Sequence, residues 1–267
     1  MACSALLLLS ALGALCTGFP HQGAGQDGQL GLRIAGSSAT TIANYPYVVS
    51  VREDLQGGYD VHVGGGSIVS NHWVLTAATT VHADVVEMYK VRVGSDHVDK
   101  GTRYTVAQIV FAKGANPADI ASFDAALIKV ASPFVFSAKV KAVKLAAAGS
   151  SWNTGTTATV AGWGPILPEG NTQDQIRVAT VSVVAHSECT TAYKECYHKE
   201  YMLCVSHKNE RKGPCVNDEG SALVHNGEQI GIASFTTSCF NGTTNAGPGI
   251  FSSVSYFRNW IKAETGV

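Results

Sequence analysis

Two carboxylates far apart in the chain, Asp124 and Glu219, are the groups whose type suits acid–base chemistry. Asp124 sits in Ser122-Phe123-Asp124-Ala125-Ala126-Leu127-Ile128, at the head of an apolar run. Glu219 sits in Gly213-Pro214-Cys215-Val216-Asn217-Asp218-Glu219-Gly220-Ser221-Ala222-Leu223-Val224. As a nucleophile Glu219 is poorly suited, because a carboxylate attacks acyl carbon weakly. The nine histidines show no metal-ligand spacing, so neither a metal site nor a cofactor is expected.

Short β-branched runs must position these groups. They are Tyr47-Val48-Val49-Ser50-Val51, Val91-Arg92-Val93, Tyr104-Thr105-Val106, Ala158-Thr159-Val160 and Val181-Ser182-Val183-Val184, punctuated by glycine and asparagine. Such spacing predicts an all-β sandwich or barrel. Only Ser253 to Thr265 reads as a good helix, with Val254, Phe257, Trp260 and Ile261 on one face and Ser253 as its cap. Charged residues make up 15% of the 267 residues and net charge is −1. That is below the roughly 25% of ordinary domains and argues against a disordered or nucleic-acid-binding chain.

Residues 213–224 resemble the C-x-G-D-S-G-G-P-L-V signature of chymotrypsin-like (trypsin-like) serine proteases, with Glu219 where that family carries its serine. Asn71-His72-Trp73-Val74-Leu75-Thr76-Ala77-Ala78-Thr79-Thr80 is similar to W-V-L-T-A-A-H-C, with Thr79 at the histidine and Thr80 at the cysteine. The Asp124 segment resembles N-D-I-A-L-L. Further words follow in the family's order: Arg33-Ile34-Ala35-Gly36, Gly64-Gly65-Gly66-Ser67-Ile68, Ala161-Gly162-Trp163-Gly164, Gly231-Ile232-Ala233-Ser234-Phe235 and Pro248-Gly249-Ile250-Phe251. The resemblance implies two six-stranded antiparallel β-barrels with a C-terminal helix. It places the crossing between barrels near Lys141 to Thr156, within one peptidase-like domain over residues 34–267.

It also implies a lost activity. Loss of serine or histidine alone costs on the order of 10⁶ in turnover in a related triad, and Thr79 and Glu219 replace both. Asn217 stands where the family has an oxyanion-hole glycine. Gly213 removes the acid that traps a basic side chain, and Thr236 crowds the substrate-pairing edge. Asp218 is the residue that pairs with the amino terminus released by cleavage, here Ile34. Either the processed state still matters or both residues persist from an active ancestor.

The first fifteen residues carry an apolar run, Ala5 to Leu15, too short to span a membrane. They predict a signal peptide over residues 1–18, followed by a pro-peptide over 19–33 and a secreted product. Of the seven cysteines, the resemblance pairs Cys189 with Cys204 and Cys215 with Cys239. With Cys3 and Cys16 in the signal segment, Cys196 is then left over, as a free thiol, an intermolecular link or a buried unreactive thiol. The family's bridge between the positions of Gly64 and Thr80 is absent, so apolar packing there and a looser loop near Thr79 are expected. Asn241-Gly242-Thr243 is a glycosylation acceptor.

Within the family the chain is most similar to the scabies mite inactivated serine protease paralogues. That closer resemblance implies a gut-lumen protein that binds host plasma proteins, complement components among them, and inhibits the cascade. It implies no nucleic acid and no membrane partner. A regulatory cofactor or decoy for an active protease, and a residual hydrolase built on Asp124 and Glu219, are the competing readings. The charge-dense stretch Tyr193 to Lys212 is a partner surface or a solvated loop, and Lys139, Lys141 and Lys144 form a smaller basic edge with the same two readings.

Overall fold

The computed structural model describes residues 37–55, 59–81, 83–115, 123–164, 174–206, 218–236 and 247–267. Its fourteen strands are β1 (Ser38–Ala39), β2 (Val48–Asp54), β3 (Asp60–Ile68), β4 (Trp73–Thr76), β5 (Tyr89–Val93), β6 (Thr102–Phe111), β7 (Ala126–Val130), β8 (Lys144–Leu145), β9 (Thr157–Gly162), β10 (Arg177–Val183), β11 (Met202–Ser206), β12 (Ala222–His225), β13 (Glu228–Thr236) and β14 (Gly249–Ser253). Two helices join them, α1 (His186–Tyr193) and α2 (Val254–Thr265).

The strands close into two antiparallel six-stranded barrels. The first runs β2-β3-β4-β7-β6-β5 and returns to β2. The second runs β9-β10-β11-β14-β13-β12 and returns to β9, with β1 added to β10 and β8 added in parallel to β13. Closure removes the unpaired edges that an open sheet would expose. The β12–β13 hairpin turns through Asn226 (φ 48°) and Gly227 (φ 80°). Both conformations are left-handed, as a two-residue Asn-Gly hairpin turn requires.

Each barrel has an apolar interior. Val49, Val51, Ile68, Val74, Val91 and Ile128 are fully buried in the first. A larger core, including Leu75, Leu127, Leu223, Ile232 and Phe251, runs through the interface into the second. Polar contacts register the barrels on each other. Ser67 Oγ of β3 donates to Gln229 Oε1 of β13 at 2.6 Å, with both residues fully buried. The crossing falls where expected: the Val143 N–H donates to the Ile68 carbonyl in barrel one, and the Ala146 N–H to the Gln229 carbonyl in barrel two.

The first barrel also buries charge. Arg52 is 2% exposed and bonds Asp60 through its Nε, the Asp60 and Val98 carbonyls, and Asp99. Arg92 and Arg103 reach the same Asp60 carboxylate from β5 and β6, at 3.4 and 2.8 Å. A buried ion is tolerated only when its hydrogen-bonding capacity is met, and the pairing of β2, β3, β5 and β6 brings these groups together.

Two local readings are corrected. Helix α1 was not anticipated, because its sequence HSECTTAY is polar overall and buries only Cys189 and Tyr193. Its place is fixed by tertiary contacts: the Cys189–Cys204 disulfide ties it to β11, and the Tyr193 hydroxyl donates to the Pro248 carbonyl. Ser253 does stand at the N-cap of α2, but it makes no side-chain cap, and its hydroxyl lies 3.1 Å from that of Ser255.

Candidate functional site

The site lies at the seam of the barrels, where three chain segments meet Asp124. β4 delivers a tight 3₁₀ turn over Ala78–Thr80, held by the Thr80 N–H to Ala77 carbonyl bond. β7 begins two residues after Asp124, and the β4–β7 register sets Thr76 opposite Ala126. β13 brings Ser234 across from the second barrel.

Asp124 is 1% exposed. One carboxylate oxygen accepts the Thr79 N–H at 2.9 Å; the other accepts the Thr79 hydroxyl at 3.2 Å and the Ser234 hydroxyl. Burial pushes the Asp124 carboxyl above its ordinary pKa, and the bonds from Ser234 and Thr79 oppose that without cancelling it. Ser234 is the functional neighbour that sequence reasoning passed over. Its position in the Gly231-to-Phe235 word was visible, but not that its side chain turns to Asp124.

Glu219 enters the same seam through its backbone. Its carbonyl accepts the Gly65 N–H at 2.8 Å. A Cβ placed on Gly64 would lie 2.8 Å from that carbonyl and 2.5 Å from the Thr80 methyl, so only glycine fits between them. Gly64 and Thr80, the pair of positions without the family's bridge, thus face each other in contact. Thr80 is 7% exposed; its methyl fills the space, while its hydroxyl is buried with no hydrogen-bond partner among the described residues.

Asp218 is 2% exposed and packs on the Gly162-Trp163-Gly164 segment at the end of β9. A Cβ on Gly164 would fall 2.1 Å from an Asp218 carboxylate oxygen. Phe235, next to Ser234, packs edge-on against Tyr193 with ring centroids 5.2 Å apart. Backbone pairing sets Thr236 opposite Gly249; the Thr236 side chain, with Ile34, Gly213, Cys215, Asn217, Cys239, Asn241 and residues 207–212, lies outside the described residues, as do the signal and pro-peptide segments.

Cys189 and Cys204 are bonded, linking α1 to β11. The reading of Cys196 as a free thiol is wrong. Cys196 is disulfide-bonded, to a partner outside the described residues. Counting cysteines could not reveal this, since pairing follows proximity in the fold. Among the described residues no cluster of His, Cys, Asp and Glu could hold a metal ion, and no helix is long and apolar enough to cross a membrane.

This arrangement can hold a buried carboxyl between hydroxyl and amide donors. Asp124 is directed at a threonine and a serine, neither of which takes up a proton near neutral pH as an imidazole does. Known proteins share the architecture. The trypsin family model matches residues 34–261. Trypsin, alkaline A, of Manduca sexta is 30% identical over 236 residues, covering 86% of this chain and 90% of that one. Trypsin delta of Drosophila melanogaster is 29% identical, covering 87% and 88%. The solved structure of neuropsin from mouse brain superposes with a TM-score of 0.74 at 25% identity, covering 86% of this chain and 98% of its own. With the family's model matching nearly the whole described chain and the paired barrels closing around Asp124, the chain belongs to the trypsin family of serine proteases.

Proposed function

We propose that this chain is a secreted, proteolytically inactive member of the family that acts by binding other proteins. The observation that carries the reading is the set of groups around Asp124. The 78–80 turn presents to it a threonine hydroxyl and an amide, not an imidazole. Without a base that alternately takes and gives a proton, a serine-type acyl transfer has no first step. The residue after Asp218 is Glu219, which supplies no hydroxyl nucleophile.

A residual hydrolase using Asp124 and Glu219 fits less well. Acid–base work needs a carboxyl that reaches the substrate, and both Asp124 oxygens are already engaged in a buried pocket. The binding partners that suit the reading are host plasma proteins, with complement components and inhibition of their cascade as the specific case, for a protein released into a gut lumen like the inactivated mite paralogues. A cofactor or decoy role toward an active protease is the alternative within the same class.

Two measurements test it. The purified, processed protein should not react with a serine-directed fluorophosphonate and should not cleave a broad peptide library. Affinity capture from plasma should then return complement components. Turnover that disappears in Asp124→Ala would sink the inactive reading, whereas capture of an active protease in place of complement would favour the cofactor role.

A further inference from the structure

Between β7 and β8 the chain makes a small projection whose outer side chains the core does not explain. Phe134 is its root, 4% exposed and packed edge-on against Tyr104, with centroids 4.8 Å apart. The next two residues point out: Val135 is 76% exposed and Phe136 49%, two of the five large exposed hydrophobics among the described residues. The backbone beneath them is held. The Phe134 N–H donates to the Asn71 carbonyl at 2.7 Å, and the Val135 N–H to the Tyr104 hydroxyl at 3.3 Å. Ser137 and Val140 then close a tight turn by exchanging both backbone bonds. Lys139 stands on that turn, and Phe136 and Lys141 flank it on its two arms.

The segment that carries this tip has charge of one sign. From Ala125 to Pro168 the chain contains four lysines and no acid. Lys144 is paired with Glu228 at 3.0 Å, but no ion pair among the described residues involves Lys139 or Lys141, and both are exposed. A fixed apolar tip beside unpaired lysines fits an interface that is apolar within and anionic at its face. Lipid membranes have that layering: acyl chains accept the apolar side chains, and acidic headgroups meet the lysines. A soluble polyanion would use the lysines and leave Val135 and Phe136 without a role.

We propose that the segment Val135–Lys141 is a docking surface for a membrane bearing anionic lipid. This goes beyond the inactive-protease reading and does not depend on it. It revises the sequence expectation of no membrane contact. Docking of this kind is peripheral and reversible, since two side chains insert and no helix spans.

The test is cosedimentation of the folded protein with phosphatidylcholine vesicles, with and without roughly a third phosphatidylserine. Binding is expected only to the anionic vesicles, and it should fall with added salt. Lys139→Glu/Lys141→Glu should weaken it by about 25-fold or more, at roughly fivefold per lysine lost. Val135→Ser/Phe136→Ser should weaken it by a similar factor. All four side chains are exposed, so an unchanged melting temperature confirms that both variants fold. No binding by the unsubstituted protein overturns the proposal. So does binding that survives Val135→Ser/Phe136→Ser, or retention on heparin without binding to vesicles, which marks the lysines as a site for soluble polyanions.

Discussion

Thr79 holds Asp124 by two bonds, its amide at 2.9 Å to one carboxylate oxygen and its hydroxyl at 3.2 Å to the other. One residue of the 78–80 turn thus satisfies both carboxylate oxygens, and on the proposed reading its hydroxyl stands where a catalytic imidazole would shuttle a proton.

Restoring two side chains will not restore a trypsin. Thr79→His/Glu219→Ser should remain well below the turnover of the trypsins it resembles. On the correspondence that the resemblance implies, Asn217 and Thr236 also depart from the family pattern, and one oxyanion donor is worth ~10²–10³ in rate. Steady-state assay of the double variant on basic peptide substrates checks this; turnover equal to an ordinary trypsin refutes it.

Thr80→Val should stabilise the protein by about 1 kcal/mol. The Thr80 hydroxyl is buried with no partner among the described residues, while its methyl is well placed beside Gly64. Valine keeps the shape and removes a desolvated polar atom, whose burial costs ~1–3 kcal/mol. Denaturant unfolding reads the change, and a midpoint lower than the parent's contradicts it.

Asp60 should make the protein acid-sensitive. Burial alone would push its carboxyl up, but the hydrogen bond and charge of Arg52, joined by Arg92, outweigh burial and hold it below the ordinary value. A depressed folded value contributes stability above the unfolded pKa of about 3.9, lost as pH falls through the lower folded value. Asp60→Asn should flatten that acid limb. It should also cost about 3–5 kcal/mol at neutral pH, because buried Arg52 then keeps only the exposed carboxylate of Asp99 opposite its charge. Unfolding curves from neutral pH into the acid range test both statements together.

Asp124 should act in the opposite sense. Its folded pKa is raised by burial, so the folded state holds the proton more tightly than the unfolded chain does. Stability therefore declines as pH rises from about 3.9 through the raised folded value, and is steady above it. Asp124→Asn should remove this decline while still accepting the Thr79 amide bond. If the variant keeps the parent's pH dependence in that window, the carboxyl is not the source.

What the sequence determined was the order of the fold and the chemistry of the groups in its site. The β-branched runs specify strands, because strand preference is largely a local property; their pairing as two barrels was implied only by the family resemblance of the ordered motifs. Thr79 and Glu219 could be read directly, because which functional group a residue carries is fixed by its identity, whereas its protonation is set by its surroundings. The tertiary structure decided the partners. Ser234 lies 110 residues from Asp124, and Arg52, Asp60, Arg92 and Arg103 come from four strands. The bonding of Cys196 and the placing of α1 depend on the same long-range closure. Such contacts arise only when the barrels close, since burial is set by neighbours distant in the chain.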